Sequence, residues 1–139
     1  MAMLLGAATI GYTANKVFSH KVALADPSIV DHHIEFAHAL LEGDMKELEI
    51  GPGELDRVLI VKYQGKLYSV GAYCSHFAAP LSNGQLLGDK ILCPLHSAAF
   101  NVVTGAIEQA PGMDGIPKFN IEEREGQFFV QVPFDMPSR

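Results

Sequence analysis

The rhythm of apolar and polar positions in this chain changes near residue 25. Met1 to Asn15 carries no charge and is mostly apolar or small, and no acidic residue appears before Asp26. From about residue 31 the apolar residues fall into short runs separated by Gly, Pro, Asn and Asp. That spacing belongs to strands and turns, not to long helices. Val58-Leu59-Ile60-Val61-Lys62-Tyr63 and Lys66-Leu67-Tyr68-Ser69-Val70 flank Gln64-Gly65, which predicts a two-residue hairpin with Gly at a position of positive φ. Lys118–Glu123 and Phe128–Val132 repeat the arrangement around Glu125-Gly126. Met45–Ile50 reads as a strand stopped by Gly51-Pro52-Gly53, and Ala98–Val102 as one turned by Thr104-Gly105. His32–Phe36 opens a strand, and Ala37–Glu42 makes a helical turn capped by Gly43. Residues 74–96 read as loop with short strands, turning at Ser82-Asn83-Gly84 and Gly88-Asp89. The expected class is all-β.

The opening segment is a separate matter. As a helix, residues 1–19 would be roughly 28 Å long, just short of a ~30 Å hydrocarbon core. It reads as an apolar N-terminal helix that anchors the chain to a membrane or packs against protein, or as a targeting segment, or as a secretory signal. The charges Lys16 and Lys21 follow the apolar run, where a secretory signal has them before it. The expected organisation is therefore an anchor or targeting segment over 1–25, a linker over 26–30 around Asp26-Pro27-Ser28, a folded domain over 31–133 and a tail over 134–139.

Composition narrows the picture. With 139 residues, 48% hydrophobic and 19% charged, the chain is long enough for one packed domain and too apolar for disorder. The net charge of −6 and the lack of any Lys/Arg run exclude a nucleic-acid partner.

The chemistry sits in two boxes, Cys74-Ser75-His76 and Cys93-Pro94-Leu95-His96. They use both cysteines of the protein, and each pairs one thiol with one imidazole. Tetrahedral zinc also takes two Cys and two His, but structural zinc sites group like ligands in each arm, whereas these arms are mixed. The mixed set suits a [2Fe–2S] cluster with two thiolates on one iron and two imidazoles on the other. Neutral imidazoles in place of two thiolates leave the site less negative and raise its potential.

Cys74-Ser75-His76-Phe77-Ala78-Ala79-Pro80-Leu81 resembles the C-x-H-x-[GA]-A-P-L box of the Rieske family, and Cys93-Pro94-Leu95-His96-Ser97-Ala98-Ala99-Phe100 resembles its C-P-x-H-x-x-x-F box. Thr104-Gly105 and Pro111 stand where the family has its T-G turn and proline loop. The stretch from Pro111 to Phe119 is also similar to the Rieske domain at the head of apoptosis-inducing-factor-like flavin oxidoreductases. The resemblance covers about 31–133. It implies a three-sheet antiparallel β sandwich with a cluster-binding subdomain. It also implies that Cys74, His76, Cys93 and His96 hold the cluster, the histidines through Nδ1.

Departures from the pattern refine the expectation. Rieske proteins of cytochrome bc complexes carry an extra cysteine in each box, joined as a disulfide; here Ala79 and Leu95 stand there. Their hydroxyl donors to the cluster sulfurs are replaced by Ala98 and Phe100. Without those donors the potential is expected towards the low end of the roughly −150 to +300 mV Rieske range. Ser97 stands where the family favours Gly. Phe77, Ala78, Ala79, Pro80, Leu81 and Leu95 are candidates for an apolar shield and docking tip, or for simple loop packing. His32, His33, His38 and Glu35 read as a solvated segment, and residues 122–125 as an exposed hairpin face.

The expected activity is one-electron transfer, with no catalytic site of its own. Neither a mononuclear iron domain nor a G-x-G-x-x-G nucleotide site is present. The expected partner is a flavin or haem redox protein, or a membrane respiratory-type complex in the mitochondrial inner membrane reached through residues 1–25. The alternatives are a soluble cytoplasmic ferredoxin, the N-terminal module of a flavin oxidoreductase, and a Rieske fold retained as a structural subunit.

Overall fold

The computed structural model describes residues 28–75, 78–95, 98–109 and 114–135; the helix expected within residues 1–25 lies outside them. Within these residues the strands are β1 (Ile29–His33), β2 (Met45–Glu49), β3 (Arg57–Tyr63), β4 (Lys66–Gly71), β5 (Gln85–Leu87), β6 (Lys90–Leu92), β7 (Ala99–Asn101), β8 (Ile107–Gln109), β9 (Lys118–Arg124) and β10 (Gln127–Pro133). Every pairing between them is antiparallel. One sheet runs β1-β10-β9-β4-β3-β2 and the other β5-β6-β7-β8.

The long sheet is two sheets joined at a seam. Strands β4 and β9 pair only through Ser69↔Phe119 and Val70↔Lys118, so β1-β10-β9 and β4-β3-β2 act as separate layers. With β5–β8 they make the three sheets that the family resemblance implies. The middle layer has a core on each side. Leu59, Val61 and Val70 face a core shared with both cysteines, Leu81, Ile91, Phe100 and Val102. Val58 and Ile60 face a second core with Ile34, Leu40, Phe119, Val130 and Val132. Residues 58–61 are 0% exposed, which explains why β3 is continuously apolar and not alternating.

Both predicted hairpins form, and both turns place two residues at positive φ. The angles are 51° and 76° at Gln64 and Gly65, and 53° and 79° at Glu125 and Gly126. These are type I′ turns, whose twist matches that of the flanking strands. Gly relieves the second position in each. At the first turn the Glu42 carboxylate accepts hydrogen bonds from the N–H groups of Gln64 and Gly65.

Three local expectations are revised. Strand β1 begins at Ile29, inside the stretch read as linker, because Ile29 pairs with Pro133 at the far end of the sequence. The helical turn over 37–42 contracts to a 3₁₀ turn, Ala37–Ala39, and Gly43 takes φ of 87° beyond it. Strand β8 is an addition, a three-residue edge partner of β7. Among the described residues no helix is long and apolar enough to cross a membrane.

Candidate metal centre

The cysteines are delivered by the two layers that enclose the first core. Cys74 comes three residues after β4 ends, and Cys93 directly follows β6. Both thiols are buried, at 3% exposure each, in one core cluster, and no disulfide joins them. His76 and His96 lie outside the described residues.

The two loops close in the same way. The Cys74 N–H donates to the Ala79 carbonyl at 2.9 Å, and the Cys93 N–H donates to the Ala98 carbonyl at 2.8 Å. Each bond reaches five residues ahead, although the histidine stands two places after one cysteine and three after the other. The first loop is tightened further by the Ala78 N–H donating to the Cys74 carbonyl at 2.8 Å, with Ala78 at φ of 53°. Two soft donors at matched loop starts, shielded from water, fit the thiolate half of an iron–sulfur site.

The loops are braced against one another. A Cβ at Gly84 would stand 1.9 Å from the Leu92 carbonyl oxygen, so the exit of the first box packs backbone to backbone on the residue before Cys93. The Ser75 hydroxyl donates to the Asp114 carbonyl at 2.7 Å. Beyond Asp114 the chain is held by Ile116 N–H to Gly105 O and Gly71 N–H to Pro117 O, both 2.8 Å. Ala98, Ala99 and Phe100 are fully buried, so no hydroxyl stands at the two positions singled out above. The apolar tip divides: Ala79 and Leu81 are packed inside, whereas Ala78 and Leu95 are exposed, Leu95 at 62%.

A polar brace beside the first box has no signature in the sequence. The Ser82 hydroxyl donates to the Glu47 carboxylate at 2.6 Å, across 35 residues, and Tyr73 Oη donates to the Glu54 carbonyl at 3.0 Å. Arg57 holds Glu47 at 3.3 Å and Glu49 at 3.4 Å. The hydrogen bond to Glu47 keeps the Arg57 guanidinium protonated beyond its ordinary range, and burial followed by the Glu47 charge pushes the Tyr73 phenol up. Only the three-dimensional pairing of β2 and β3 brings these groups together.

The other candidates play structural parts. His33 lies tilted at 37° against Phe129 with ring centroids 5.2 Å apart, and His38 Nε2 meets the Gly126 carbonyl at 2.7 Å. Arg124 pairs with Asp31 and Glu122 on the hairpin face read as exposed.

Comparison with known proteins agrees with this geometry. The family described as "Rieske [2Fe-2S] domain" matches residues 32–120. Apoptosis-inducing factor 3 of Homo sapiens is 38% identical over 93 residues, which take in 67% of this chain and 15% of that protein. The ferredoxin CarAc of Metapseudomonas resinovorans is 33% identical over 90 residues, 59% of this chain and 84% of the ferredoxin. Among solved structures, a complex of reduced oxygenase and oxidized ferredoxin in carbazole 1,9a-dioxygenase contains a chain 31% identical, with a TM-score of 0.61, covering 68% of this chain and 94% of that one. The carbazole 1,9a-dioxygenase ferredoxin of Nocardioides aromaticivorans shares the fold at 23% identity and a TM-score of 0.65, covering 73% of this chain and 96% of it. By its two boxes, its layers and these matches, the chain belongs to the Rieske [2Fe–2S] domain family, whose cofactor is a [2Fe–2S] cluster and whose work is electron transfer to and from a redox partner.

Proposed function

We propose that this protein passes single electrons through its cluster with Cys74 and Cys93 on one iron and His76 and His96 on the other. The observation that carries the assignment is the matched pair of loops, each opening on a cysteine at 3% exposure and closing on a hydrogen bond five residues ahead. When bound, the cluster supplies a one-electron redox couple. The chain's own residues exclude water from the thiolate side through Leu81, Phe100 and Ile91, and leave Ala78 and Leu95 at the surface where a partner approaches. Ala98 and Phe100, buried side chains that carry no hydroxyl to stabilise the reduced state, support a potential towards the low end of the family range.

The likeness to apoptosis-inducing factor 3 over a small part of that protein's length supports a flavin-linked partner and an electron-transfer subunit or module. In that reading residues 1–25 attach the domain to a larger assembly, mitochondrial membrane included, with a haem protein or respiratory-type complex as the other class of partner. The ferredoxin likeness, which spans 84% of CarAc, favours a second reading as a separate carrier that feeds an oxygenase or reductase. The deciding experiment is EPR of the dithionite-reduced protein with a potentiometric titration of the same sample. A rhombic signal at low potential, abolished by Cys74→Ser and by His96→Ala, bears the proposal out. A high potential counts against the ferredoxin-like reading and favours quinol oxidation instead, and a metal-free or zinc-loaded protein leaves the fold as a structural subunit.

A further inference from the structure

The two ligand loops, alike in their backbone closure, differ in how they are fastened to the rest of the molecule. The first box is tied to the β2–β3 hairpin on both flanks. Tyr73, immediately before Cys74, bonds the Glu54 carbonyl; Ser82, just past the box, bonds the Glu47 carboxylate. Glu47 is no ordinary surface acid. Its side chain is 21% exposed, and its second oxygen is held by Arg57, which also grips Glu49 two residues along the same strand. A carboxylate pre-set by a guanidinium and accepting from a hydroxyl at 2.6 Å is a short, charge-assisted contact in a partly dry site. What Ser82 carries with it is the turn Leu81–Asn83, in which Leu81 is fully buried in the core that holds both cysteines. The Leu81 N–H donates to Ala72 O and the Gly84 N–H to Leu81 O, so the turn sits on the strand exit that leads to Cys74. Through Gly84 it also abuts Leu92, next to Cys93.

We propose that Glu47, oriented by Arg57, is a positioning residue for the cluster: by capturing Ser82 it locks the Leu81–Asn83 turn and with it the spacing of the two ligand loops. This rests on the assignment of Cys74 and Cys93 as ligands made above. The tie acts on cluster retention, because loss of the cluster requires the two loops to part.

The test is a double-mutant cycle on the full-length protein. Ser82→Ala and Glu47→Ala are compared singly and together, with Glu47→Gln, which keeps an acceptor but loses the charge, and Glu49→Gln, which makes the same change at the other Arg57 contact without touching the turn. The first readout is the rate at which the visible absorbance of the cluster bleaches in excess chelator under native conditions. Loss of one charge-assisted hydrogen bond predicts release about tenfold faster in each single alanine variant. The double variant is no faster than the singles, Glu47→Gln lies between, and Glu49→Gln matches the wild type. Wild-type release rates in both alanine variants, or fully additive effects, overturn the proposal. The second readout is amide hydrogen exchange at Leu81 and Gly84 in the apoprotein, which both alanine variants accelerate if the tie exists and leave unchanged if it does not. A wild-type protein that takes up no [2Fe–2S] cluster counts against the ligand assignment, and amide exchange then decides separately whether Glu47 holds the turn.

Discussion

Ala78 holds φ at 53° between the two hydrogen bonds that close the first box. A side chain with a Cβ meets a cost of about 1 kcal/mol or more in that region, which glycine escapes. Ala78→Gly is therefore expected to stabilise the apoprotein by about 0.5 kcal/mol, net of the greater freedom glycine gains on unfolding, as measured by urea denaturation. An unchanged or lower stability would mean that the Cβ makes compensating contacts. His32 acts through charge. It is partly buried on β1, and burial outweighs the attraction of Asp31, so its pKa lies below the ordinary 6.5. The folded state then binds fewer protons than the unfolded state between the depressed value and 6.5. Stability contributed by the neutral ring is complete above that window and is lost as pH falls through it. Denaturation midpoints of the wild type should drop from pH 7 towards pH 5 more than those of His32→Gln; parallel profiles would rule the ring out as the cause.

At the scale of elements, the joint between the boxes is the most sensitive place. Gly84→Ala would drive a methyl group into the Leu92 carbonyl oxygen, a contact of 1.9 Å with backbone on both sides and no flexible neighbour to yield. The expected cost is about 3 kcal/mol with loss of the cluster, checked by iron content and melting temperature. Retention of iron at a wild-type melting temperature would show that the turn can move aside. The hairpins were legible in the chain because Gly65 and Gly126 stand at the second position of turns with apolar runs on either side, a signal carried within about a dozen residues. Strand β8 was not, since Ile107–Gln109 is three residues long and owes its existence to β7 beside it. The same contrast holds at the site. Cys74 and Cys93 announce themselves through their neighbours in sequence, whereas Glu47 is an unremarked acid until the fold sets it against Ser82. Local chemistry is written locally; contacts across 35 residues are written only in the folded chain.

For the whole molecule, charge is distributed very unevenly. Asp89 and Lys90, opposite in sign and adjacent, are the only charged residues between 72 and 107, so the net charge of −6 resides outside the segment that carries the boxes. A partner that docks on Ala78 and Leu95 meets apolar side chains of this segment, with the exposed Asp114 at its edge beside Ser75. Electron transfer to such a partner is expected to change less than about twofold between about 50 and 500 mM salt, unlike steered encounters that slow steeply. Stopped-flow rates across that range test this, and a steep decline would place the docking surface elsewhere.

The register of the long sheet also sets which way the molecule faces. Ile29 pairs with Pro133, and the Phe134 N–H donates to the Ser28 carbonyl, so the described chain enters and leaves side by side. Following the pairings inward, that row continues to Lys118 and Val70, the end of β4 that runs on to Cys74, while Gln64-Gly65 and Glu125-Gly126 turn at the other end. On the proposed reading in which residues 1–25 attach the domain to a larger assembly, the attachment would lie at the end of the sheet from which β4 runs on to Cys74. In that case the cysteine-bearing loops would face the assembly, and the turns Gln64-Gly65 and Glu125-Gly126 would be carried at the far end of the sheet, away from it.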